Sequence, residues 1–221
     1  DFAMAKYRNQ EIVAAQNDLK KLIKNNPENA TFIADLALTY GEQNPQSTLS
    51  DSLFKTATRL EPKNAGIWYQ YGRKVMNSGN YFSAEKLLNI SVKLDPLNSS
   101  IHGRIGMLQY YLHNFDKAEQ LYKTALSIHP QDFTTWYNLG ELYFTQANRK
   151  RFIEDVSNLR IKSIDAFLKT LTYNSNHPWA HYKVGVLLNN NKQFKEAINH
   201  FKKAKKNFPK NPDLLLQLAL A

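Results

Sequence analysis

The sequence predicts an all-α protein, a right-handed solenoid of antiparallel helix hairpins, and two recurring residue types carry that prediction. Prolines recur at nearly constant spacing, at Pro27, Pro62, Pro96 and Pro130. Glycines recur at the same spacing, at Gly72, Gly106 and Gly140. A fixed period of about 34 residues indicates stacked supersecondary units, each of which buries its apolar face only against its neighbours.

The residues between these markers predict two helices in every repeat. Trp136, Leu139 and Tyr143 are three or four residues apart and form the apolar stripe of a first helix. Gly140 beside them lets a second helix approach closely, which offsets the cost of about 1 kcal/mol for a glycine inside a helix. Each second helix is expected to end at its proline, because the residue before proline is driven out of the α region.

This register divides the chain into one elongated domain, residues 1–221. A partial repeat at 1–27 precedes five full repeats, at 30–62, 65–96, 99–130, 133–175 and 178–209, and residues 212–221 begin another. Ser175 stands where the fourth full repeat would carry its proline. The chain opens on Asp1 and closes in an apolar run, so we expect a piece of a longer array whose apolar ends favour self-association.

The fourth full repeat contains eleven residues more than the others, between Tyr143 and Ser163. Eleven residues are about three helical turns, so such an insertion keeps the following helix in phase. We therefore expect a long second helix. Its apolar residues either pack on an extended first helix or remain for a partner, and they are Phe152, Ile153 and Val156.

The pattern resembles the tetratricopeptide repeat over nearly the whole chain. One repeat carries it at Trp68, Tyr71, Gly72, Ala84, Leu88 and Pro96, and another at His181, Val184, Gly185, Ala197, Phe201 and Pro209. The resemblance implies that first helices line a concave surface that holds a peptide or partner protein. Inward positions outside the core, expected to bind the partner, are Tyr69, Arg73, Asn77, Arg104, Tyr111, Tyr137, Asn138, Glu141, Tyr182, Lys183, Asn189 and Asn190.

The co-chaperone branch of this family grips a terminal carboxylate with a defined set of Lys, Asn and Arg on three first helices. Asn138 and Lys183 match two places of that set, but Gly103 and Met107 stand where its first Lys and Asn are required. Binding of a heat-shock chaperone tail is therefore not expected.

Composition and motifs indicate a binding protein without chemistry of its own. The chain has no cysteine, which excludes disulfides and thiolate sites and leaves the compartment open between a reducing cytosol and export. No phosphate-cradling loop or catalytic spacing occurs, so we expect no enzyme, cofactor or metal. His177 and His181 are four residues apart, but no third ligand lies near them in the sequence and His181 occupies the packing position of Trp136.

Two alternative functions stay open from the sequence. The net charge is +10, and a basic run near the end suits RNA or an anionic surface, at Lys192, Lys195, Lys202, Lys203, Lys205, Lys206 and Lys210. Most of these lysines are expected on the solvated outer face of a helix. The second alternative is a docking or regulatory arm of a larger enzyme.

Overall fold

The computed structural model describes residues 2–149 and 153–220, and that part of the chain forms twelve helices and no strand. The predicted all-α class is confirmed. The helices are α1 (Phe2–Asn25), α2 (Ala30–Gln43), α3 (Thr48–Leu60), α4 (Ala65–Asn77), α5 (Tyr81–Leu94), α6 (Ser99–Tyr111), α7 (Phe115–Ile128), α8 (Phe133–Arg149), α9 (Ile153–Tyr173), α10 (Pro178–Asn190), α11 (Phe194–Lys205) and α12 (Pro212–Leu220).

The helices form two compact units. Unit 1 ends at Leu108 and unit 2 begins at Gln109, both inside α6. In unit 1, α2 packs on α3, α4 packs on α5, and the first helices α2 and α4 lie side by side. In unit 2, α8 packs on α9, α10 packs on α11, and α12 packs on α11. A single continuous array over residues 1–221 stays a prediction.

Glycines bring the two helices of a hairpin together. A Cβ on Gly72 would lie 2.7 Å from Leu88 Cγ, and a Cβ on Gly140 would lie 2.7 Å from the Phe167 ring. The start of α4 also meets the end of α5, where Ser91 Oγ donates to Ala65 O at 2.8 Å, so the helices are antiparallel. The predicted close approach at the repeated glycine is confirmed.

The turns between first and second helices share one backbone conformation. Gly79, His113 and Lys192 have φ angles of 83°, 63° and 61°, each in the turn that joins the two helices of a repeat. Gly79 and His113 are one period apart, and Lys192 follows at the distance that one ordinary and one lengthened repeat predict. A left-handed residue therefore reverses the chain at the same point of each of these repeats.

The insertion of the fourth full repeat lengthens both of its helices. α8 has 17 residues and α9 has 21, against 13 in α4 and 14 in α5. The long second helix is confirmed, and the first helix is extended as well. Val156 is half-buried, whereas Phe152 and the side chain of Ile153 lie outside the described residues.

No helix in residues 2–149 or 153–220 has both the length and the apolar character that a membrane crossing requires.

Candidate functional site

The first helices of unit 1 form an open cleft that holds three of the predicted partner-binding residues. Its volume is about 280 Å³, and its walls come from α2, α4 and α6. The lining residues are Leu38, Gly41, Glu42, Arg73, Lys74, Asn77 and Arg104. Arg73 and Asn77 lie one turn apart on α4, and this spacing places both side chains on the same face of that helix.

The two arginines of the cleft are weakly compensated. Arg73 Nη2 lies 3.8 Å from Glu42 Oε1, beyond hydrogen-bonding distance, and the Glu42 side chain is 54% exposed. Arg104 Nη1 lies 3.7 Å from the thioether of Met107, a weak acceptor. Among the described residues, no carboxylate pairs with Arg104. The cleft therefore carries guanidinium donors that are open to an anionic group.

The methylene stem of Lys74 lines this cleft, whereas its ammonium lies outside the cleft, beside α3. Its ammonium donates to Asp51 Oδ1 at 2.6 Å and to Ser47 O at 3.2 Å, on the side of α3. The side chain is only 3% exposed, and its Cγ lies where a Cβ on Gly41 would clash. Lys74 is thus a buried, neutralised cation, and the net positive charge of the cleft comes from Arg73 and Arg104.

Three predicted residues of unit 2 interact with one another. Lys183 Nζ lies 3.0 Å from Glu141 Oε1, which links α10 to α8, and 4.3 Å from the centroid of the Phe144 ring. Tyr137 hydrogen-bonds to Glu141, and burial together with this carboxylate raises the pKa of the tyrosine. The Tyr137 ring also packs on Phe167 at 5.5 Å between centroids. These side chains join neighbouring hairpins, so they are less available to a ligand than the arginines of unit 1.

The remaining predicted residues lie on first helices with varied exposure. Tyr69 and Asn138 are half-buried, and Tyr111 and Asn190 are exposed. Asn189 Nδ2 donates to Gln217 Oε1 of α12 at 3.2 Å, while no partner for its Oδ1 is found within the described residues. Tyr182 packs on Trp179 and Phe201, and burial is the main reason why its pKa is raised.

The two histidines that could share a metal have separate structural roles. His177 Nδ1 accepts from Ala180 N at 3.1 Å and caps α10. His181 is buried, with Nε2 3.0 Å from Ser175 O and Nδ1 3.0 Å from His200 Nδ1. In the part of the chain that the structure describes, no three potential metal ligands come together. The packing role predicted for His181 is confirmed.

The lysines of the basic run are all exposed, as expected for a solvated outer face. They follow the turn at Lys192 and continue along α11 to Lys210, while the opposite side of α11 buries Ala197, Phe201 and Ala204.

The sequence carries a signal for one residue of the cleft that is absent from the predicted set. Lys74 stands one period before the buried Leu108, and the corresponding positions of the later repeats are the buried Leu142 and Leu187. A lysine at a core position of the register predicts a buried cation that needs an acidic partner. Asp51 supplies that partner from α3. Glu42, which faces Arg73 across the cleft, had no comparable signal.

Comparison with known families decides the identity of the repeats. One family model described as tetratricopeptide repeat matches residues 104–152, and a second with the same description matches residues 179–211. The chain contains tetratricopeptide repeats. The first match begins inside α6 and includes α7 and α8, and the second falls on the helix pair α10 and α11. No match was found among curated protein sequences.

Solved structures share the helical arrangement of these repeats at low sequence identity. The crystal structure of MamA protein matches with a TM-score of 0.63 and 19% identity, over 83% of this chain and 94% of that chain. PilF of Pseudomonas aeruginosa matches with a TM-score of 0.72 and 16% identity, over 85% and 82% of the two chains. The human IFIT1 dimer with m7Gppp-AAAA matches with a TM-score of 0.72 and 18% identity, over 87% of this chain but 45% of that chain. These likenesses establish the fold.

Proposed function

We propose that this protein is a non-enzymatic interaction module that binds a peptide or partner protein on the exposed faces of its first helices. The tetratricopeptide family supports a protein partner in general terms. The observation that carries the proposal is the cleft of unit 1, in which Arg73, Asn77 and Arg104 come from neighbouring first helices and Arg104 has no carboxylate partner among the described residues.

The first and second helices differ in which side chains they bury, and this difference supports the proposed function. Second helices bury their small and aromatic residues against the first helices, and Leu88 packs on Gly72 in the same way. First helices keep half-buried polar and aromatic side chains beside the core, such as Tyr69 and Arg73. Aromatic and arginine side chains offer large contact areas and are enriched among residues that dominate binding energy.

Site-specific photo-crosslinking tests the proposed face. A benzoylphenylalanine replaces Tyr69 on first helix α4 in one sample and Ile90 on second helix α5 in a matched sample, because both helices belong to the same hairpin. We expect a defined crosslinked species from position 69 that is absent from position 90 and is lost when Arg73→Gln is added. Crosslinks that form equally from both positions, or from position 90 alone, would contradict the proposal.

A further inference from the structure

We infer that the cleft between α2, α4 and α6 binds the carboxylate of an acidic side chain in an extended segment of a partner protein. This inference rests on the proposed function, since it names the chemistry that the first helices of unit 1 recognise. It adds a ligand class and two specificity-determining arginines, Arg73 of α4 and Arg104 of α6, which both line the cleft.

The charge balance of the cleft favours an anionic ligand. Of its three cationic side chains, Lys74 is neutralised at 2.6 Å by Asp51, outside the cleft. Arg73 and Arg104 therefore face one acid, Glu42, which stands at 3.8 Å from Arg73 and is mostly in solvent. A ligand carboxylate can accept two parallel hydrogen bonds from a guanidinium, and such bidentate pairs are stronger than neutral hydrogen bonds.

The Arg73 side chain is more firmly held than that of a fully solvated surface arginine. Its side chain is 28% exposed, so most of it is fixed against neighbouring helices while the guanidinium reaches the cleft. A fixed donor loses less conformational entropy on binding than a freely rotating one. Asn77, which is exposed and lies one turn further along α4, provides an amide that can pair with the backbone of an extended peptide.

The size and lining of the cleft favour a side-chain carboxylate over a nucleic acid. The volume of about 280 Å³ is at the lower limit of ligand pockets and suits one side chain with its flanking backbone. Its lining includes the apolar Leu38 and the methylene stem of Lys74, but no aromatic ring on which a base could stack. The carboxylate of Glu42 in the wall would repel a continuous row of phosphates.

Matched peptides test the inference with a defined probe. An array of octapeptides is printed in pairs that differ only in a central glutamate or glutamine, and the tightest glutamate peptide is then titrated in solution by fluorescence anisotropy. The protein is used as the wild-type chain and as Arg73→Gln, Arg104→Gln and Arg59→Gln. Arg59 is an exposed arginine of α3 outside the cleft, so its variant loses the same charge elsewhere.

We expect the glutamate peptide to bind about tenfold more tightly than its glutamine twin. That preference should disappear in Arg73→Gln and Arg104→Gln and persist in Arg59→Gln, with unchanged circular dichroism and thermal midpoint in all three variants. Equal affinity for both peptides in the wild-type chain, or a preference that survives both cleft substitutions, would overturn the inference. Tighter binding of a ten-nucleotide uridine RNA that depends on Arg73 and Arg104 would overturn it as well.

The two proposals fail in distinguishable ways. Crosslinking from position 69 without a preference for glutamate leaves the first-helix face intact and removes the acidic ligand. Loss of both the crosslink at position 69 and all peptide binding removes the proposed function itself.

Discussion

His181 Nε2 lies 3.0 Å from the backbone oxygen of Ser175, six residues earlier in the chain. The same contact occurs in other repeats, where Trp68 Nε1 donates to Pro62 O and Trp136 Nε1 donates to Pro130 O, each at 2.8 Å. Ser175 therefore holds the structural place of the repeated proline. The eleven-residue insertion changes the length of its own repeat without shifting the register of the next one.

This contact also fixes the protonation of a histidine pair and predicts a loss of stability in acid. With Nε2 protonated towards Ser175, neutral His181 accepts at Nδ1 from His200 Nδ1, 3.0 Å away. Burial, His181 and Lys203 together lower the pKa of His200 from 6.5 to about 4. Below about pH 6.5, His200 is protonated in the unfolded chain but remains neutral in the folded chain. Because solvent screens this half-buried group, the free energy of unfolding should fall by about 1 kcal/mol down to pH 4.5.

Urea denaturation between pH 7.5 and pH 4.5 measures this dependence. His200→Gln should reduce this dependence, because glutamine does not titrate, and the remainder comes from His177 and His181, whose pKa values burial also lowers. If the His200→Gln variant kept the full slope of the wild-type chain, the acid sensitivity would come from other groups.

Gly140→Ala should destabilise the protein although alanine is the better helix former. The added Cβ would lie 2.7 Å from Phe167, and overpacking of this kind costs more than the ~1 kcal/mol gained in helix propensity. We expect a net loss of about 1 kcal/mol in the free energy of unfolding, measured by chemical denaturation. In a double-mutant cycle with Phe167→Leu, the combined loss should be smaller than the sum of the single losses, because leucine vacates the space that the alanine needs. Strict additivity would mean that the two positions do not touch.

Asp51→Ala should cost more stability than Lys74→Leu. Removing the aspartate leaves the buried ammonium of Lys74 with Ser47 O as its remaining acceptor, and we expect a loss of about 2 kcal/mol. Lys74→Leu instead installs the residue type found at the equivalent buried positions Leu108 and Leu142, and it leaves Asp51 able to reach solvent. Thermal and urea denaturation of the two variants provide the comparison. If Lys74→Leu lost more stability than Asp51→Ala, this result would contradict the interpretation that Asp51 mainly prevents an unpaired buried charge on Lys74.

Lys183→Met should affect stability more than binding. Its ammonium pairs with Glu141 at 3.0 Å, and both side chains are mostly buried, at 18% and 23% exposure. We expect a loss of about 1 kcal/mol in the free energy of unfolding and no change in affinity for the glutamate peptide. Denaturation and anisotropy on the same preparation separate the two effects. A loss of affinity without a loss of stability would assign Lys183 to the binding surface.

Because the features of one hairpin recur along the chain, they allowed the fold to be predicted from the sequence. Contacts between repeats were harder to predict. The prolines, Gly72 and Gly140 report interactions inside one hairpin, and these recur at every period. The division of the insertion between α8 and α9 has no local signal, because both halves of the segment have helical periodicity. The pairing of Glu141 with Lys183 depends on the rotation of α10 against α8, which no local pattern encodes.

In the candidate site, too, positions within one repeat were predictable and contacts between repeats were not. The register placed Arg73, Asn77 and Arg104 on first helices, but the cleft that they line depends on how α2, α4 and α6 pack, which no local pattern encodes. Asp51 neutralises Lys74, so the charge of that cleft comes from Arg73 and Arg104, and this ion pair joins residues of different repeats.

Chemical-shift mapping by nuclear magnetic resonance tests most directly whether the first helices carry the binding face. The tightest glutamate octapeptide is added to the ¹⁵N-labelled chain, and backbone amide and arginine Nε–Hε signals are followed. Binding at the first helices should perturb the signals of Arg73, Asn77 and Arg104 and leave the signals of second helix α5 and of the lysines along α11 largely unchanged. Perturbations confined to α5 or to the lysines of α11 would contradict it.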